Sequence, residues 1–458
     1  MKHLKLLLLL SVLCSNAIFA QQVNYSEELL DLISSEKWFE IEDYYQQNKD
    51  NIDKEFVEPW YITQTGFVFN RPFEAINAYE QLIDKNPHNM DMPTLIAAFW
   101  QPLLQLCADV QEYEKGKELC QKLITLLEND TITDSEMRLS YIQGFTRAIE
   151  SFTSFEKEYP KLSVSKKSDK AKDVELIKND SINGIYFNAE WNGNKLKTFF
   201  DTGFANSYIY NRTIAEKIGV KLIESDTIFL NNGTVRTLMG IVDSLKLGNF
   251  CIKNVPVLVN VEPIDPADSI QIKCDSVLNS RFDIVLGIPI IKRLGIIEFD
   301  FENNTMSFPQ KTPLTNKRNL CIDNTRYAAL YLNMEICNAN FLTYFDTGGE
   351  GGLIINTDFY EKNKDCIPVE EQTRKSKKFT GGCNQAAFSH IEEYDCQQIE
   401  ISINGQITTL INDCSVAKGK ENDDKLGAEE GGFLGNAIFK YCKKATFDFV
   451  NMVFSMEK

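Results

Sequence analysis

Read along the chain, apolar and polar positions change rhythm three times. Lys2 and Lys5 mark the start of an apolar core, Leu4–Leu13, followed by small residues up to Ala20. Such a stretch is too short to span a bilayer and is flanked as a cleavable signal peptide. Residues 1–20 are therefore expected to be removed, with the cut after Ala20 (Ala17 being the second choice). Cys14 could suggest lipoprotein processing, but the bulky Leu13 before it fits that poorly.

From 21 to 160 the apolar positions recur at helical spacing. Trp38, Phe39, Ile41, Tyr44 and Tyr45 form one patch, and Phe73–Ile83, closed by Asn86-Pro87, forms a second. Tyr113–Leu127 forms a third, with Leu119, Leu123, Ile124 and Leu127 on one face. Their starts at 38, 73 and 113 give a spacing that resembles degenerate tetratricopeptide-type helical hairpins. An ordinary helical bundle without a peptide groove is the competing reading.

Residues 161–173, with Ser163-Val164-Ser165-Lys166-Lys167-Ser168, are polar and without period and predict an exposed linker. Beyond it come short β-branched and aromatic runs punctuated by Gly and Asn, the texture of an all-β region.

Within that region one stretch occurs twice. Thr198-Phe199-Phe200-Asp201-Thr202-Gly203 returns as Thr343-Tyr344-Phe345-Asp346-Thr347-Gly348. A single Asp-Thr-Gly after a strand is ordinarily a turn, but here two downstream blocks repeat as well. Leu286-Gly287 lies beyond the first copy and Leu434-Gly435 beyond the second, with Phe299-Asp300-Phe301 and Phe447-Asp448-Phe449 next in each. Three matched blocks in the same order imply two copies of one supersecondary unit, and so two equivalent carboxylates.

These paired blocks resemble the two lobes of an aspartic peptidase, and the short lobes are more similar to retropepsin-like bacterial aspartyl proteases than to the larger pepsin lobes. The resemblance implies a multi-domain chain: an all-α helical-hairpin domain followed by an all-β bilobal acid-protease fold. Lobe one is expected at 174–311, a linker at 312–319 and lobe two at 320–458. It further implies that Asp201 and Asp346 form the catalytic dyad, and that Thr202 and Thr347 bond across a pseudo-twofold axis. Gly203 and Gly348 would allow close approach, while Leu286, Gly287, Leu434 and Gly435 would sit beneath the loops. Asn232-Gly233 and Gly381-Gly382 are placed at flap tips.

The chemistry independently suits two carboxylates. At a separation of about 3 Å they share one proton, so one activates water while the other donates to the carbonyl oxygen. No histidine is needed, which agrees with a mature chain holding only His88 and His390. Phe204 and Gly349 come directly after the motifs where the family commonly has Ala or Ser; neither supplies a hydroxyl to the carboxylates. The dyad is therefore expected to be less acid-shifted than that of pepsin, with activity reaching mildly acidic or near-neutral pH. Glu350, matched in lobe one by Ala205, is expected to hold substrate main chain on one side only.

Composition narrows the partners. A net charge of −17 argues against nucleic acid or an anionic membrane. No later segment is apolar and long enough to span a bilayer, so export to the periplasm or outside the cell is expected. Eleven cysteines remain after residue 20, an odd number that leaves at least one unpaired. No cofactor or metal is implied: Gly348–Gly352 lacks the Lys and Ser/Thr of a phosphate loop, and Asp413, Glu421, Asp423 and Asp424 lack calcium-loop spacing. No Gly-x-Ser-x-Gly supports a serine hydrolase. The expected partner is a peptide or protein substrate, with a protein docked through the helices as a further option; because one chain supplies both Asp residues, the site needs no dimer. The helical part would recruit substrate, dock a partner or cover the cleft. The rival reading is a non-catalytic exported peptide- or protein-binding protein whose helices are the working surface.

Overall fold

A computed structural model describes residues 24–85, 92–167, 173–177, 184–230, 235–263, 280–312, 317–323, 329–370, 372–379, 388–421 and 431–458. The signal peptide expected at 1–20 and all four flap-tip residues, Asn232, Gly233, Gly381 and Gly382, lie outside them. The chain forms two compact units, Met1–Lys161 and Leu162–Lys458. The first is helical and the second is β-rich.

In the helical unit, the helices Val57–Val68 and Pro72–Lys85 are joined by a short turn. Val57–Val68 and Pro72–Lys85 pack closely because Gly66 admits Ala75, where an added Cβ would lie 2.9 Å from the Ala75 Cβ. Asn70, at φ 55°, closes the turn between them in the left-handed conformation that Asn tolerates. The Tyr113–Asn129 helix buries Leu119, Leu123, Ile124 and Leu127, the face marked by the apolar spacing. The long helix Ser135–Glu158 is capped by Asp134, whose carboxylate accepts from the N–H groups of Glu136 and Met137 at 2.9 and 3.1 Å.

The β unit holds two eight-stranded sheets in which seven strands follow one order, while the eighth pairs with Phe250–Pro263 in the first (Ser163–Lys166) and with Ala329–Ile336 in the second (Leu320–Asp323). In the first, Asn194–Phe200 lies antiparallel to Ile185–Trp191 and parallel to Ile284–Leu286. The short strand Ser207–Ile209 then sits between Ile284–Leu286 and Phe250–Pro263. In the second, Ala339–Phe345 lies antiparallel to Ala329–Ile336 and parallel to Gly432–Leu434. Leu353–Ile355 sits between Gly432–Leu434 and Gln406–Ala417. Each sheet also carries a hairpin running toward one of the expected flap tips: Lys221–Leu230 with Val235–Leu247, and Thr373–Phe379 with Phe388–Ile403.

One segment departs from the sequence reading. Ser163–Lys166, placed in the exposed linker, is an edge strand paired with Phe250–Lys253. Its alternation is too polar to read as a strand, because an edge strand covered on one side needs no apolar face.

A five-stranded sheet joins the halves in the order Val174–Glu175, Thr305–Ser307, Ile296–Asp300, Lys444–Asp448, Val453–Glu457. At its centre Ile296 pairs with Asp448 and Asp300 with Lys444. Each strand thus meets the equivalent stretch of the other, the pairing of a two-fold axis. This sheet explains the Phe-Asp-Phe blocks. Phe299 packs edge-on beneath Phe200 at 5.0 Å and Phe447 stacks on Phe345 at 5.4 Å, all four rings being fully buried. Asp300 and Asp448 accept N–H groups of the next turn, from Asn303 at 2.8 Å and Asn451 at 2.8 Å.

Candidate active site

The apolar strands Asn194–Phe200 and Ala339–Phe345 deliver Asp201 and Asp346 to the seam between the halves. Each loop is held from below by its own sheet: the Asp201 N–H donates to the Leu286 carbonyl at 3.1 Å and the Asp346 N–H to that of Leu434 at 3.0 Å. Gly287 and Gly435 come next because nothing larger fits. A Cβ on Gly287 would lie 2.2 Å from the Asn206 carbonyl oxygen, and one on Gly435 2.6 Å from that of Gly351.

The two loops are laced together by their threonines. The Thr202 N–H donates to Thr347 Oγ1 and the Thr347 N–H to Thr202 Oγ1, both at 3.0 Å. Each hydroxyl then donates across the seam, Thr202 to the Phe345 carbonyl at 2.7 Å and Thr347 to that of Phe200 at 3.2 Å. These four bonds are fully or nearly buried and use every polar atom of both side chains.

The carboxylates are seated reciprocally. A Cβ on Gly348 would lie 2.2 Å from Asp201 Oδ2, and one on Gly203 would lie 2.4 Å from Asp346 Cγ. Each acid therefore occupies the space that the other loop's glycine leaves open. Asp201 Oδ1 accepts the Gly203 N–H at 2.8 Å; Asp346 Oδ1 accepts those of Gly348 and Gly349 at 2.8 and 2.9 Å. Burial pushes both carboxyls above the ordinary carboxylate range, and the charge of Asp346 pushes Asp201 further. The arrangement can hold one proton between two carboxyls and present the second, ionised oxygen pair to a water or a carbonyl.

The halves differ around this core. Phe204 packs edge-on against Tyr208 at 5.2 Å, in a buried cluster with Tyr186, Phe199, Phe282 and Val285. Burial raises the Tyr186 hydroxyl to about 12. On the other side Gly349 leaves room for the Phe433 ring, which a Cβ would meet at 2.4 Å.

Two contacts carry no signal in the sequence. The Tyr344 hydroxyl donates across the seam to the Gly203 carbonyl at 3.2 Å, and burial together with the two Asp charges holds it well above the ordinary phenol range. Its counterpart Phe199 has no hydroxyl. Arg281 bonds Glu350 at 2.8 Å, tying the first half to the glycine-rich loop of the second. Only an assembled fold could bring these pairs together. Glu350, placed by the sequence against substrate, is thus already engaged by a cation.

Among the described residues, no group of three or more His, Cys, Asp or Glu is arranged to hold a metal ion.

Residues 187–290 match an aspartyl protease family model. The matched stretch contains Asp201, Phe204 and Leu286-Gly287 and stops short of the second motif. The similarity to that family is thus to the first half of the β unit. No curated protein matches the chain. Among solved structures, a retropepsin-like aspartic protease from Rickettsia conorii aligns at 18% identity over 32% of this chain and 94% of its own, with a TM-score of 0.21. Basic 7S globulin from soybean aligns at 8% over 63% of this chain and 94% of its own, with a TM-score of 0.36. Conglutin gamma from lupine seeds aligns at 8% over 64% and 95%, with a TM-score of 0.35. No functional assignment rests on likenesses this distant.

Proposed function

We propose that this chain is an exported aspartic endopeptidase that hydrolyses peptide bonds with a water activated between Asp201 and Asp346. The observation that carries the reading is the reciprocal seating of each carboxylate over the opposite loop's glycine. Two acids crowded in this way are costly for a protein that does not use them, since burial and mutual repulsion both oppose their ionisation. The family match over the first half supports the same reading.

In the mechanism the ionised carboxylate takes a proton from the water as it attacks the scissile carbonyl carbon. The protonated partner donates to the carbonyl oxygen. The carboxyls then exchange roles and a proton passes to the departing amine. The threonine lacing holds the loops at the separation that proton sharing requires. Backbone N–H groups reach both carboxyls, and the pair titrates as a unit around one shared proton.

Phe204 supports catalysis over a blocked cleft, because its ring is taken up by the Tyr208 cluster. The helical unit is proposed to recruit substrate or dock a protein partner in the manner of tetratricopeptide hairpins, and residues 1–20 to direct export.

The deciding experiment compares cleavage of an unfolded protein mixture by wild type and Asp201→Asn between pH 3 and pH 8. Cleavage that reaches mildly acid or neutral pH and disappears in the variant is expected. Cleavage retained by the variant, or none by wild type at any pH, refutes the dyad.

A further inference from the structure

Behind the second catalytic loop, two thiols are placed for chemistry that hydrolysis does not use. Cys396 and Cys414 stand directly opposite each other in the antiparallel pair Phe388–Ile403 and Gln406–Ala417, beside a register shift between Cys396 and Gln398. Both are buried, at 1% and 6% exposure. Directly opposed residues of an antiparallel pair have Cα atoms about 4.5–5.5 Å apart, inside the roughly 4.4–6.8 Å that a disulfide spans.

The Cys396 thiol donates to the Gln398 carbonyl at 3.4 Å and the Cys414 thiol to that of Ser415 at 3.9 Å, and the neighbouring Cys414 holds the Cys396 thiol below its ordinary range. The neighbouring Cys396, burial and the Glu393 charge hold Cys414 above its own. A separate disulfide, Cys337–Cys366, already lies in this half of the molecule.

We infer that Cys396 and Cys414 are a disulfide-forming pair, a cross-strand redox site whose oxidant is a small organic disulfide of the glutathione class. The Cys396 thiolate attacks one sulfur of the oxidant and displaces a thiolate, giving a mixed disulfide. Cys414 then loses its proton and attacks Cys396 Sγ, and the second thiolate leaves. Two electrons pass to the oxidant, which ends as two thiols carrying the two protons released by the protein.

The bond has a structural consequence. Cys414 pairs with Leu353, which comes directly after the Asp346–Gly352 loop, while Cys396 lies on the strand that forms the hairpin with Thr373–Phe379. Oxidation ties that hairpin to the strand supporting the loop. Because both thiols are buried, the bond forms as the strands assemble.

The test uses the full chain, reduced and unfolded, then refolded against a mixture of reduced and oxidised glutathione. The product is denatured without reductant, alkylated with iodoacetamide and cut after glutamate. Cleavage after Glu393, Glu400 and Glu421 puts the two cysteines on separate peptides, 394–400 and 401–421. The expected product is these two peptides joined, about 2 Da lighter than the two reduced peptides together, with neither cysteine alkylated. Alkylation of both, or either peptide joined to another cysteine, overturns the assignment. In Cys396→Ser, Cys414 is expected to be alkylated, and its appearance in another disulfide would also count against the pair. If that variant fails to fold, the wild-type map decides alone.

Discussion

Replacing Thr347 by Val tests the lacing directly. The side chains have nearly the same shape, so little cavity or strain is introduced, and what changes is one hydroxyl. That hydroxyl accepts the Thr202 N–H at 3.0 Å and donates to the Phe200 carbonyl at 3.2 Å. Both groups are left buried and unpaired. At about 1–3 kcal/mol for each, the loss comes to about 2–6 kcal/mol, with roughly 1 kcal/mol recovered from the buried methyl. Domains of this kind have about 5–15 kcal/mol in all. Thr202→Val should cost a similar amount, for it breaks the mirror-image pair to Thr347 and Phe345. The double variant should lose less than the sum, because the loops are already free to part after the first change. Urea unfolding at unchanged m-value measures all three. A single variant within about 0.5 kcal/mol of wild type, the range of ordinary surface substitutions, would refute the claim that these bonds hold the halves in register.

Gly348→Ala forces a Cβ to within 2.2 Å of Asp201 Oδ2. Cleavage is expected to fall at least about 100-fold, the effect of misplacing a reacting group by roughly 1 Å, while circular dichroism stays that of wild type. Undiminished cleavage would show that the carboxylate does not need this seat. Both dyad carboxyls are raised in the fold, so they stabilise it fully below the ordinary carboxylate value of about 3.9 and lose that contribution as pH rises through the raised values. Asp201→Asn should therefore gain in melting temperature relative to wild type between pH 4 and pH 7; a constant difference would contradict the shared proton. Glu350→Gln breaks a partly exposed ion pair and should change stability by no more than about 1 kcal/mol. A larger loss would mean that the Arg281 bridge holds the halves together.

What the sequence made legible was whatever is repeated at short range. The Phe-Asp-Phe blocks stood out because Phe299 and Phe447 each lie against the phenylalanine before one of the paired aspartates, so the same residue types recur in both halves. The helical faces were readable from the period of Leu119, Leu123, Ile124 and Leu127, all of which are buried. Ser163–Lys166 was not, because a polar edge strand takes its conformation from the strand it pairs with. Arg281–Glu350, Tyr344–Gly203 and Cys396 opposite Cys414 were silent for a related reason. The cysteine pair is set by strand register, a property of the assembled sheet, and the other two join loops or turns to residues of the opposite half that only the folded chain brings together.

The pairing of Ile296–Asp300 with Lys444–Asp448 also fixes the order in which the molecule can be completed. On the ribosome the first half emerges with one side of Ile296–Asp300 bare, an apolar edge with hydrogen-bonding groups open to any passing strand. Nothing in the first half can close it. The matching strand arrives only after nearly all of the second half, Asp346 and Gly348 included, has been synthesised. A truncated chain lacking residues 444–457 would keep both aspartates but leave this edge exposed to edge-to-edge aggregation. The sheet that joins the two halves thus stays incomplete until synthesis has passed residue 448.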